Sequence, residues 1–173
     1  VFMKRMILLS LFCLAGVVMS NAQRFALIDM EYIMENIPEY QQANNELELA
    51  SQQYQKAVEA KAKEAEALYL AYQKAANTLS ATQRTQKEEA IVAKEREAAE
   101  LRKKYFGPEG EMAQKQEALI APIQNRIYEA VKQISSQKGY DAVIDRASAT
   151  SIIFASPRID ISNEVLAKLG YSN

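Results

Sequence analysis

The chain has 173 residues, 21 Lys+Arg against 22 Asp+Glu, no histidine, no tryptophan and a single cysteine. Without histidine there is no Ser-His-Asp or Cys-His catalytic unit and no His-ligated zinc or haem, and one cysteine makes neither an internal disulfide nor a multi-cysteine metal site. A net charge of −1 lacks the basic excess of a nucleic-acid binder.

Taken in chain order, Lys4 and Arg5 precede an apolar run, Met6–Met19, and Ser20-Asn21-Ala22 sets small side chains before Gln23. Residues 1–22 therefore read as a secretory signal peptide cleaved after Ala22. The run is shorter than the about 20 residues a membrane-spanning helix needs. Cleavage removes Lys4, Arg5 and Cys13, leaving 19 basic and 22 acidic residues, a net of −3. The mature chain then has neither Cys nor His, so an exported thiol redox enzyme is excluded.

Phe25-Ala-Leu-Ile28 reads as a short strand. From 39 to 138 the composition turns to Ala, Glu, Gln and Lys, which is helical. Tyr40, Leu47, Tyr54, Lys61, Leu68 and Ala75 recur every seven residues, with Ala43, Ala50, Ala57, Glu64 and Ala71 three further on. That is one narrow apolar seam, suited to a single partner helix. Lys61 and Glu64 interrupt it together, which predicts loose or wet packing there. Ser80-Ala-Thr-Gln83 has the form of a capping box, and Asn77 can close the helix before it. The expectation is a helix over about 39–78, a tight turn, and a second helix from about 81 with its own heptad, Ile91, Ala98, Tyr105, Met112 and Leu119. Two such seams make an antiparallel hairpin. At about 1.5 Å per residue its first limb extends roughly 60 Å, too long for a globular core, so it must project.

Phe106-Gly-Pro-Glu-Gly110 sits inside the return limb; one Pro and two Gly would cost about 5 kcal/mol in an uninterrupted helix, so a break is expected, read as a hinge. Pro122 is a second candidate kink. Beyond it Ile120, Ile123, Ile127, Val131 and Ile134 widen the apolar stripe toward Gly139, which puts the core at the base of the arm. Ala142–Asp145 reads as a second strand, Ser151–Ala155 as a third, and Asp160–Leu169 as a final helix capped by Asp160 or Ser162, with Ile161, Val165, Leu166 and Leu169 inward.

The predicted fold is thus α+β, mostly α: a helical hairpin (39–138, tip near 77–82, break at 106–110) on a small body of strands and short helices (23–38 and 139–173). The candidate body core is Phe25, Leu27, Ile28, Val143, Ile144, Ile152, Phe154, Val165, Leu166 and Leu169. A body this small is marginal alone, and with no disulfide to staple it, oligomerisation is the expected remedy. Glu88, Glu89, Glu95, Glu97 and Glu100 interleave with Lys87, Lys94, Arg96, Arg102 and Lys103, the pattern of a solvated helix face. No phosphate loop, EF-hand spacing or G-x-S-x-G occurs; the reading is no enzyme, no cofactor and no metal.

The order of these segments resembles the Skp/OmpH family of periplasmic chaperones. The resemblance rests on Phe25-Ala-Leu-Ile-Asp29-Met-Glu-Tyr32-Ile33, the Ala/Gln-rich hairpin, Gly139-Tyr-Asp141-Ala-Val-Ile-Asp145 and Asp160-Ile-Ser-Asn-Glu-Val165-Leu-Ala-Lys-Leu169. Ile37-Pro38-Glu39-Tyr40 and Tyr105-Phe-Gly-Pro-Glu-Gly110 are similar to Bacteroidetes-type members. The resemblance implies a periplasmic homotrimer whose strands form a central body and whose three coiled-coil arms enclose unfolded outer-membrane β-barrel proteins without ATP. Export and charge disfavour a nucleic-acid partner, and the short apolar run predicts no stable membrane insertion after cleavage. The family's well-known members are strongly basic, whereas residues 41–104 here hold 11 basic and 10 acidic residues, so electrostatic attraction of clients or lipopolysaccharide does not carry over. The client-contact candidates are Tyr54, Tyr69 and Tyr72 on the arm and Lys74, Arg84 and Lys87 at its tip. The rival reading is a structural coiled-coil spacer or assembly subunit of the envelope.

Overall fold

A computed structural model describes residues 23–149 and 151–171; the expected signal peptide, with Cys13, lies outside them. Strand β1 (Phe25–Ile28) leads into helix α1 (Met30–Glu35), then α2 (Pro38–Ala75), α3 (Ala81–Phe106) and α4 (Glu111–Lys138), strand β2 (Ala142–Asp145), a 3-10 turn at Pro157–Ile159, and helix α5 (Ser162–Leu169). β1 and β2 pair in parallel, Phe25 opposite Ala142 and Ile28 opposite Asp145. The whole hairpin is therefore the crossover between two adjacent parallel strands, which need a long connection.

Local chemistry sets most boundaries. Asp29 caps α1, its carboxylate accepting from the Tyr32 amide at 2.9 Å. Pro38 opens α2, where its missing N–H is no loss. At the tip α2 ends at Ala75, and the capping box forms: the Gln83 amide donates to Ser80 Oγ and the Ser80 amide to Gln83 Oε1. α4 runs through Pro122 without ending and stops at Gly139, whose left-handed backbone (φ 67°) suits glycine.

The core lies at the base. Ala26 and Ile28 of β1, Ile33 and Ile37, Ile123, Ile127, Ala130 and Ile134 of α4, and Ile161, Val165 and Leu166 of α5 form one buried cluster. Polar contacts tie its pieces together. The Asp29 amide donates to Ser162 Oγ at 2.8 Å, the Met30 amide to Asp145 Oδ1 at 3.1 Å, and Arg146 pairs with both Asp29 and Asp160.

Three expectations need correction. Ser151–Ala155 is not a strand: residues 152–156 are irregular, with Ile153 and Phe154 101% and 85% exposed. A strand exists only with a partner, and none of the described segments of the same chain offers it one. Among the described residues only Asp160, bridging Leu27, extends the sheet. The last helix begins at Ser162, with Ile161 at the cap position; Asp160 Oδ1 accepts from the Ser162 amide instead. Finally, the buried line of α2 runs Ala43, Ala50, Val58, Ala65 rather than continuing through Ala57, Glu64 and Ala71. A strict seven-residue repeat falls back about 20° per heptad on a 3.6-residue helix; the one eight-residue step, Ala50 to Val58, takes up that drift.

Candidate functional site

The arm is two helices thick along its distal half, and its faces differ. On one side of the buried line four charges meet: Lys61 bridges Glu64 at 3.0 Å and Glu97 at 3.8 Å, while Lys94 bridges Glu97 at 2.8 Å and Glu64 at 3.5 Å. Lys61 holds the Glu64 carboxyl below its ordinary range, and Lys94 does the same for Glu97. All four stay partly exposed, so the box flanks the apolar line with solvent-screened pairs worth little each.

On the other side the small residues leave a groove of about 450 Å³ between α2 and α3, lined by Val58, Ala62, Ala65, Tyr69, Ala98 and Ala99, with Glu66, Glu95 and Arg102 at its rim. Alanines let two helices approach closely but leave the flank of the seam unfilled. Tyr69, 47% exposed, stands in this groove, its hydroxyl accepting from Gln73 Nε2.

The remaining arm candidates separate. Tyr72 is half-buried and its hydroxyl donates to Glu88 across the hairpin, which raises the phenol's pKa. Tyr54 stacks on Tyr105, centroids 4.1 Å apart and planes 7° off parallel, and meets Phe106 edge-on at 6.3 Å. Lys74, Arg84 and Lys87 are exposed around the tip. Only Tyr69 lines the groove. Sequence reasoning missed Val58, Ala62 and Ala99 because they lie beside the heptad seam rather than on it.

The break lies opposite Tyr54. The Gly107 amide donates to the Lys103 carbonyl and the Gly110 amide to the Gly107 carbonyl, each at 2.9 Å. A Cβ on Gly107 would fall 2.4 Å from the Lys103 oxygen, and one on Gly110 2.8 Å from the Tyr105 oxygen. Lys104 spans the gap to Glu111 at 3.2 Å. The Glu111 carboxyl is held below its usual range by the Tyr54 hydroxyl first and Lys104 second.

At the base, the body candidates divide by face. Leu27, Ile28, Val165 and Leu166 are buried, and Val143, Ile152 and Leu169 half-buried. Phe25 and Ile144 are exposed, at 46% and 40%, and lie with Phe154 on the surface of the single chain. The outer edge of β2 has no partner strand among the described residues. Beside it a groove of about 320 Å³ is lined by Ile28, Met30, Tyr128, Val131, Tyr140 and Val143, among others. No group of three or more metal-ligating side chains and no helix able to cross a membrane occurs among the described residues.

Fold and surface together define a protein with a long two-helix arm on a small, incompletely covered base of strands and short helices. A family model described as outer membrane protein (OmpH-like) matches residues 24–169, and the chain belongs to that family, whose members are not enzymes. It is 26% identical over 149 residues to the chaperone protein Skp of Yersinia enterocolitica, covering 86% of this chain and 87% of that one. Its fold is similar to the crystal structure of an OmpH-like outer membrane chaperone from Caulobacter crescentus, with a TM-score of 0.66, 13% identity, and 85% and 83% of the two chains covered.

Proposed function

We propose that this protein is an ATP-independent holdase of the periplasm that binds unfolded outer-membrane β-barrel proteins in a space enclosed by its arms. The observation that carries the reading is the arm. A hairpin two helices thick leaves its apolar flank, the groove around Tyr69, open to solvent, where a globular protein would cover it with a third layer. Many weak contacts of that kind slow aggregation of a client while leaving it mobile.

The arm needs company to enclose anything, and the base offers a reason for it. The bare edge of β2 presents unpaired N–H and C=O groups, a template for another strand. Phe25, Ile144, Ile153 and Phe154 add exposed apolar surface beside it. A second and third copy of the chain, closing into a ring, would cover both, and residues 151–155 would gain the strand partner they lack in one chain. The homotrimer is our reading of that surface.

The test is suppression of aggregation of a urea-unfolded outer-membrane β-barrel on dilution. Suppression at one trimer per client is expected, with no requirement for nucleotide. No suppression, together with capture of one constant partner on crosslinking in cells, would favour a structural spacer of the envelope instead.

A further inference from the structure

We infer that residues 106–110 form a fixed elbow rather than a free hinge, and that Tyr54 is its latch. On the return limb the helix is interrupted at Gly107–Gly110, and the two halves engage different stretches of α2. Below the break, α4 is tied to the proximal part by Lys115–Glu46 and Arg126–Glu39. Above it, α3 is tied to the distal part by the Lys61–Glu97 and Lys94–Glu64 pairs and by Tyr72–Glu88. The break thus divides the return limb into two stretches, each tied to its own stretch of the continuous helix α2.

Such a break would be loose if left to a Gly-Pro loop, but here it is clamped. The Tyr54 ring lies flat on Tyr105 and meets Phe106 edge-on, so one side chain of the continuous helix grips the last turn before the break. The two glycine amides are both hydrogen-bonded inside the turn, and neither glycine has room for a Cβ. Lys104–Glu111 closes the turn from outside. The closed latch holds the distal arm in one orientation; losing the stack releases it. The latch rests on the aromatic cluster and the hydrogen-bonded turn and does not depend on the chaperone reading.

The test is residue-resolved amide hydrogen exchange on the full chain, comparing Tyr54→Ala, Tyr54→Phe and Leu68→Ala. Leu68 sits on the distal seam away from the stack, so its loss reports general loosening of the arm. In the unsubstituted protein the Gly107 and Gly110 amides should exchange at least about 100-fold more slowly than in an unstructured chain. Tyr54→Ala should speed both by about tenfold more than Leu68→Ala does, while Tyr54→Phe, which keeps the ring, should stay within about threefold of the original. Exchange of the two amides at the unstructured rate in the unsubstituted protein would overturn the inference, and so would equal effects of Tyr54→Ala and Leu68→Ala at these positions.

Discussion

Gly107 and Gly110 illustrate how a single missing carbon decides a local structure. Both have backbone angles that any residue can adopt, so they are not there for conformational freedom. They are there because carbonyl oxygens of the preceding turn occupy the place of a Cβ. Alanine at this break, which helix propensity alone would read as stiffening, should instead destabilise the arm; for Gly107→Ala we expect a loss of about 1–3 kcal/mol by overpacking, read as a lower denaturation midpoint. A second residue-scale device sits at the root of the arm. Tyr171 donates to Glu39 at 2.6 Å, and Arg126 donates both to Tyr171 at 2.8 Å and to Glu39 at 3.1 Å. The Tyr171 hydroxyl, followed by the backbone and Arg126, holds the Glu39 carboxyl below its ordinary 4.5. A lowered folded-state value means the clasp stabilises the fold fully above that ordinary value and loses this contribution as pH falls through the folded value. Tyr171→Phe should therefore narrow the stability gap between pH 7 and acid, measured by helical circular dichroism during acid titration; an unchanged profile would remove the clasp from the account.

Element by element, the hairpin is built of local signals with one tertiary compromise. The capping box at Ser80 satisfies orphan N–H groups where the chain reverses, and Ser80→Ala should cost about 1 kcal/mol, seen as faster amide exchange in residues 81–84 with the base unaffected. The four-charge box is the compromise. Lys61, Glu64, Lys94 and Glu97 flank the contact between α2 and α3 at places where apolar side chains would widen it, and exposed pairs contribute little. Replacing Lys61 and Lys94 by Leu, and Glu64 and Glu97 by Ala, should raise the melting temperature of the arm and reduce its dependence on salt. A melting temperature that falls instead would show that the box holds the two helices in register.

At the scale of the whole molecule, the chain carries a core too small for the surface it leaves bare. The buried cluster is confined to the base, where α4, α5 and β1 converge, while Ile153 and Phe154 stand in solvent. The homotrimer proposed above predicts that Ile153→Asp with Phe154→Asp lowers the assembly to monomer in analytical ultracentrifugation. Because both side chains are exposed in the single chain, helix content should be unchanged. A variant that sediments as the original does would place the contact elsewhere.

Composition, periodicity and end signals by themselves determined much of this protein: the absence of histidine and of a second cysteine, the hairpin, its reversal near Ser80, the break at 106–110 and the base as the place of the core. These are legible because helix caps, Gly and Pro act within four or five residues of chain, and because a one-sided seam reports its partner helix directly. What only the tertiary structure decided involves contacts between distant segments. The parallel pairing of β1 with β2 and the failure of 151–155 to join them depend on which strands meet. The shift of the buried line to Val58 and Ala65 depends on the true pitch of α2 against its partner, which a seven-residue count cannot carry. The open groove beside Tyr69 exists because alanine fills the seam without covering its flank, and the grip of Tyr54 on Tyr105 depends on residues far apart in the chain coming to rest face to face.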